Sequence, residues 1–118
     1  MIKTTKKAVE AKLITHAGSM HADDVMATYI LSKVFGEVKV LRTCKVPDNL
    51  SEDVIIYDIG FGQYDHHQKG GNGTRENGVP YAACGLIWKE FGPCVVQETC
   101  DPEFVWNVID RDLIQGID

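Results

Sequence analysis

Residues Val54-Ile55-Ile56-Tyr57 form an unbroken apolar run that stops at Asp58. Successive side chains of a strand point to opposite faces, so a run apolar throughout has to be covered on both. That is the property of a buried parallel strand. Two other short segments share its character, Lys12–Thr15 (KLIT) and Val38–Arg42 (VKVLR). Between them, Asp24–Phe35 is dense in apolar residues: Val25, Met26, Ala27, Tyr29, Ile30, Leu31, Val34 and Phe35. This predicts a helix packed deep against a sheet, with Gly36 as its stop. Pro47-Asp48-Asn49 predicts a turn. A further helix is predicted over Tyr81–Phe91, stopped by Gly92 and Pro93. A last helix is predicted from Pro102 to Gln115, with Phe104, Val105, Val108 and Ile109 on one face and Pro102 in its first turn.

Strands alternating with helices predict an α/β fold, a mostly parallel sheet flanked by helices. In such sheets ligands bind beyond the carboxyl ends of the strands. His16 follows the first predicted strand and Asp58 follows the VIIY strand, so both occupy that position.

The chain has 118 residues, enough for one α/β domain over 1–118 with a core of its own. No apolar run reaches the roughly 18 residues of a membrane span, so a membrane partner is not expected. The basic N-terminal stretch lacks the apolar core and cleavage site of a secretory signal, and a cytoplasmic location is expected. Cys44, Cys84, Cys94 and Cys100 form no Cys-x-x-Cys pair and are expected to be reduced, packed as small apolar groups. The net charge of −5 shows no basic face for a long nucleic acid. Bound metal would neutralise part of the acid, and a small substrate fits equally well.

All four histidines fall in two clusters, His16 and His21 in THAGSMHADD and His66 and His67 in YDHH. Each cluster is interleaved with carboxylates, Asp23 and Asp24 in the first and Asp65 in the second. Imidazole and carboxylate together suit Mn²⁺, Zn²⁺ or Fe²⁺. A pair of ions about 3.5–4 Å apart needs a bridging carboxylate and ligands on each side. Asp58 is the expected bridge and a catalytic residue, with His16, His21, Asp23 and His66 as further ligands. His67 is expected to meet the substrate phosphate as a charged donor or general acid. Asp24 either caps the following helix or stands behind the ligands. Asp65 either holds its turn or does the same. The glycine-rich loop Lys69–Gly78 either cradles phosphate with Lys69 and Arg75 or is a mobile surface loop; it is not a Walker motif.

The run Asp65-His66-His67, after a strand-ending Asp58 and a His/Asp-rich first motif, resembles the DHH phosphoesterase superfamily. Four motifs in order, THAGSMHADDVMA, VIIYDIG, YDHHQKG and NGVPYAACGLIWKEFG, are similar to the melanocyte-proliferating-gene-1 family over about residues 13–118. The resemblance implies a DHH-phosphoesterase-like N-terminal domain with metals at the carboxyl edge of its sheet. It implies metal-dependent phosphodiester hydrolysis, as exonuclease action on RNA, with Mn²⁺ ahead of Mg²⁺ or Zn²⁺ in a two-metal site. His16, His21 and Asp23 correspond to its first motif, Asp58 to its second, and His66 with His67 to its third. Asp118 begins its fourth, as a further metal ligand. The resemblance also implies a truncated N-terminal portion of a longer two-domain protein. An exposed interdomain face would leave a homo-oligomer open. The leading expectation is therefore a nuclease or exonuclease acting on RNA or short nucleotides. A pyrophosphatase or cyclic-nucleotide phosphodiesterase is the alternative within that class. A metal- or nucleotide-binding module, inactive because truncated, is the alternative outside it.

Overall fold

A computed structural model describes residues 1–118. It is an α/β domain whose four strands are all parallel, β1 (Ile2–Thr5), β2 (Leu13–His16), β3 (Val38–Thr43) and β4 (Ile55–Ile56). The helices are α1 (Ala22–Phe35), α2 (Ala83–Val96) and α3 (Pro102–Ile109). The last runs on through a π-helical turn (Asp110–Ile114) into one more helical turn (Gln115–Ile117). No helix is long and apolar enough to cross a membrane.

The strand order is β1-β3-β2-β4. The chain leaves β2 for β3 on one side, while β4 lies on the other, so the crevice beside β2 is a topological switch point. Ile14 pairs with Ile56, and Tyr57 N–H donates to the Ile14 carbonyl at 3.0 Å. Two residues beyond that pairing on each strand stand His16 and Asp58. The VIIY ladder is shorter than its apolar run because Asp58 turns the chain at φ 59°.

The two sheet faces are covered differently. Leu13, Val38, Val40 and Tyr57 pack with Ala27, Ile30 and Leu31 of α1, with Cys84, Ile87 and Trp88 of α2, and with Ile114. On the other face Ile14 and Leu41 meet Ala8, Ala11, Leu50, Val54 and Ile56, so a 3₁₀ turn (Ala8–Glu10) and a loop serve where a helix was expected. α1 starts two residues earlier than its apolar pattern predicts. Asp24 in its first turn accepts the His21 N–H at 2.8 Å, half of a capping box. Gly36 ends it at φ 76°, as expected.

Two helix expectations are corrected. α2 does not stop at Gly92-Pro93 but runs to Val96. Gly92 lies where the stacked rings of Trp88 and Trp106 leave no space for a side chain, and Trp106 Nε1 donates to the Trp88 carbonyl at 3.2 Å. A proline inside a helix costs about 3 kcal/mol, which burial of the two indoles offsets. α3 starts as expected, with Pro102 after an Asp101 cap. Phe104 is not on its buried face: it stands 64% exposed, while Val105, Trp106 and Ile109 pack inward.

Adding a Cβ at Gly92 would place it 2.6 Å from Trp106 Nε1 and 2.7 Å from Trp88. Gly92→Ala should therefore cost about 1–3 kcal/mol by overpacking. A urea titration should show a lower midpoint at an unchanged m value; wild-type stability would mean the indole pair is not tightly packed.

Candidate metal centre

A depression of about 460 Å³ lies beyond the ends of β2 and β4. His16, His21, Asp23, Asp58, His66, His67 and Asp118 line it, with Ala82 and Ile117. Seven residues singled out in the sequence, from four separate stretches of chain, thus share one cavity.

Asp58 is at its centre. A non-glycine residue at φ 59° carries backbone strain, held here by its N–H donating to the Tyr64 carbonyl at 3.0 Å. The side chain is 4% exposed. Its Oδ2 lies 3.1 Å from His16 Nε2. Its Oδ1 lies 3.6 Å from His66 Nδ1 and 3.5 Å from His67 Nδ1. Burial and then the neighbouring Asp23 raise its pKa above the ordinary carboxylate value, while the three histidines pull it down. Oδ1 and His66 Nδ1 are both buried without a hydrogen-bond partner. Two unsatisfied polar atoms facing each other, one carboxylate and one imidazole, fit a cation.

His16 hydrogen-bonds through Nδ1 to the Ala17 carbonyl at 3.0 Å. In the neutral ring that places the proton on Nδ1 and leaves the Nε2 lone pair free. Nε2 sits between Asp58 and Asp24, 3.0 Å from Asp24 Oδ2. Burial opposes charge on this ring, but the Ala17 carbonyl, Asp58 and Asp24 outweigh it and raise its pKa. The ring of His21 lies 5.9 Å from that of His16.

Asp24 has several partners at once. It caps α1 and also reaches His16, while its Oδ1 accepts Arg42 Nη1 at 3.2 Å. Asp65 holds its turn and also reaches His67. It accepts the N–H groups of Phe61 (2.8 Å) and His67 (3.2 Å) and meets His67 Nδ1 at 2.6 Å. Burial pushes Asp65 up, yet these hydrogen bonds hold it below the usual carboxylate range. His67 is therefore oriented from behind, its ring 4.2 Å from that of His66.

Two carboxylates also grip the start of α2. Asp23 accepts the Cys84 N–H at 2.6 Å and the Ala83 N–H at 3.3 Å. Asp118 accepts the Gly85 N–H at 3.0 Å. The helix begins there because these acids satisfy amides that Ala82 cannot cap. Only glycine fits at position 85, since a Cβ would collide with the Asp118 carboxylate. The Cys84 thiol donates to Asp118 at 3.2 Å. Burial and the two acids push its pKa far up, so it remains a thiol. Cys84 is buried as expected; Cys44, Cys94 and Cys100 are free but exposed.

Arg75 and Lys69 are not brought to the depression. The buried Arg75 guanidinium makes two hydrogen bonds to Asp110, at 3.0 and 2.8 Å, and lies 2.7 Å from Asp118 Oδ2. It also sits 4.4 Å over the Tyr81 ring. Its charge is committed to the fold, so the expected phosphate contact is replaced by a hold on Asp118. Sequence reasoning missed Arg42, Gly85 and Asp110. The signal for Arg42 was its place at the carboxyl end of a strand; Gly85 and Asp110 gave none.

Asp24→Ala should cost about 3 kcal/mol, because it strands the Arg42 charge. Arg42→Met in that background should recover part of the loss, a coupling readable by urea denaturation. Strictly additive losses would show that the two side chains do not interact.

The comparisons with known proteins agree on a family. The family model MYG1_exonuc, described as an uncharacterised protein family (UPF0160), matches residues 12–118. A MYG1 protein of Schizosaccharomyces pombe is 30% identical over 125 residues, which cover 91% of this chain and 38% of that protein. A MYG1 protein of Dictyostelium discoideum is 25% identical over 121 residues, 90% of this chain and 36% of the relative. One of Saccharomyces cerevisiae is 25% identical over 123 residues, 91% and 36%. The chain thus spans little more than a third of the length of these relatives. No solved structure gives a significant match. With the motifs, the family model and the relatives all covering nearly the whole chain, it belongs to the MYG1 family.

Proposed function

We propose that this chain carries the metal site of a phosphodiester hydrolase, a nuclease whose substrate is RNA or a short nucleotide. One observation carries the reading: Asp58 is shared between two groups of potential ligands. His16, Asp24 and Asp58 offer atoms within 4.8 Å of one another, and so do Asp58, Asp65, His66 and His67. Asp58 would bridge two divalent ions, Mn²⁺ ahead of Mg²⁺ or Zn²⁺. His16 and His21 would ligate from one side, and His66, Asp23 and Asp118 from the other. Such ions supply an activated water and neutralise charge on the phosphoryl oxygens. His67, fixed through Nδ1 by Asp65, leaves Nε2 to hold or give a proton at the substrate phosphate. Arg75 holds Asp118 in place rather than meeting substrate. The family model's name supports a nuclease-like role and hence a nucleic-acid substrate; the likeness to DHH phosphoesterases supports the metal chemistry.

A second reading, a module that binds metal or nucleotide without turnover, rests on the same two groups of potential ligands. The two are separated by incubating the chain with Mn²⁺ and labelled single-stranded RNA, pyrophosphate or cyclic dinucleotides. RNA hydrolysis abolished by chelation is the expected result. Bound Mn²⁺ with no turnover of any phosphoester would establish the second reading instead. Asp58→Asn should lower kcat at least roughly 100-fold, since even the outer partners of metal ligands are worth ten- to hundredfold. Full activity in that variant would remove Asp58 from the bridge.

A further inference from the structure

A second cavity, of about 440 Å³, adjoins the candidate metal centre and shares Asp58 and His67 with it. Lys45, Val46, Phe61 and Asp65 are among its other lining residues. Nothing in the proposed hydrolysis uses this space. It opens at the carboxyl end of β3, beside the switch point.

Phe61 is its unusual member. The residue has φ 58°, a conformation that glycine adopts freely and a phenylalanine does not. Its side chain is nonetheless 68% exposed. A large apolar residue that is both strained and unburied contributes nothing to the core that would offset either cost. The conformation is enforced from below. The buried Asp65 carboxylate accepts the Phe61 N–H at 2.8 Å, and its other oxygen meets His67 Nδ1 at 2.6 Å. The preceding Gly60 (φ 86°) sits so close to strand-end Val46 that a Cβ there would lie 3.0 Å from its Cγ2. One carboxylate therefore holds the backbone of Phe61 and the ring of His67, both of which line this second cavity. Lys45 adds a cation to the lining.

We infer that this cavity is a nucleotide subsite: Phe61 stacks on the base next to the scissile phosphate, and Lys45 pairs with the flanking phosphate. The inference rests on the hydrolase reading for the position of the scissile group, and it narrows the substrate to unpaired nucleic acid. A base inside a duplex has no free face to offer a ring, whereas single-strand binders stack bases on aromatic side chains and follow the backbone with cations.

The test reads binding separately from cleavage. A short single-stranded oligoribonucleotide carrying 2-aminopurine is titrated onto the whole chain, with and without Mn²⁺, and its fluorescence is followed. The wild type should quench it on binding. Phe61→Ala should weaken binding roughly five- to hundredfold and lose the quenching, Phe61→Trp should keep both, and Phe61→Leu should lose the quenching at equal volume. An abasic nucleotide at that position should cost the wild type what Phe61→Ala costs, and the two changes together no more. Lys45→Gln should reduce the salt dependence of binding by about one phosphate contact. The 2-aminopurine mononucleotide should bind more weakly than the oligonucleotide; equal affinity would overturn the flanking-phosphate contact. If the chain cleaves RNA while Phe61→Ala keeps wild-type KM and quenching, the stacking is overturned and the hydrolase reading stands. If it cleaves no phosphoester but quenches in a Phe61-dependent way, the stacking stands and the hydrolase reading falls.

Discussion

A carboxylate withdrawn from water must be compensated, and this small domain withdraws five: Asp24, Asp58, Asp65, Asp110 and the side chain of Asp118. The cost of an uncompensated buried charge is severe enough that proteins meet it with pairing, hydrogen bonds or neutralisation. Asp24 is met by Arg42 and a helix amide. Asp110 is met by Arg75. Asp65 is met by two backbone amides and His67. Asp118 is met by Arg75 and the Gly85 amide. Asp58 Oδ1 has neither an arginine nor an amide, and what faces it is an unsatisfied imidazole nitrogen. The protein meets the burial of four of these acids with arginines, amides or a hydrogen-bonded histidine, and leaves Asp58 Oδ1 without such a partner at the end of β4. That contrast, more than the number of acids present, sets Asp58 apart from the other buried acids.

The sheet explains why the open position is where it is. β2 lies inside the sheet, and its neighbours β3 and β4 receive chain from different directions. The ends of β2 and β4 therefore deliver His16 and Asp58 side by side without any long loop having to fold inward. The left-handed turn at Asp58 then sends the chain out through Phe61 and back at Asp65, so that both ends of one loop border the same cavity. All the long helices pack on one face, and α1 and α2 bring their N-termini to the rim, where Asp23 joins them.

Much of this was legible in the sequence because short apolar runs and clustered histidines are local signals with few physical readings. The buried strands, the capped α1 and the convergence of His16, His21, Asp23, Asp58, His66 and Asp118 on one cavity all follow from spacing and motif. What failed did so where a distant partner decides the outcome. Gly92-Pro93 reads as a helix end until Trp106, thirteen residues past Pro93, is stacked against Trp88. Arg75 reads as a phosphate ligand in a glycine-rich loop until Asp110 and Asp118 claim it. β1 was only part of an indistinct basic segment, because IKTT lacks the apolar content of the inner strands and owes its pairing to β3.

The grip on the first turn of α2 has a mechanical meaning. Asp23, from the opening of α1, and Asp118, the last residue described, hold adjacent amides of one helix. Segments nearly a hundred positions apart are buckled together by two residues that also line the cavity. Loosening either segment would scatter the cavity's acids, and drawing those acids elsewhere would free the helix end. The placement of the cavity's acids and the packing of the helix end thus depend on the same contacts.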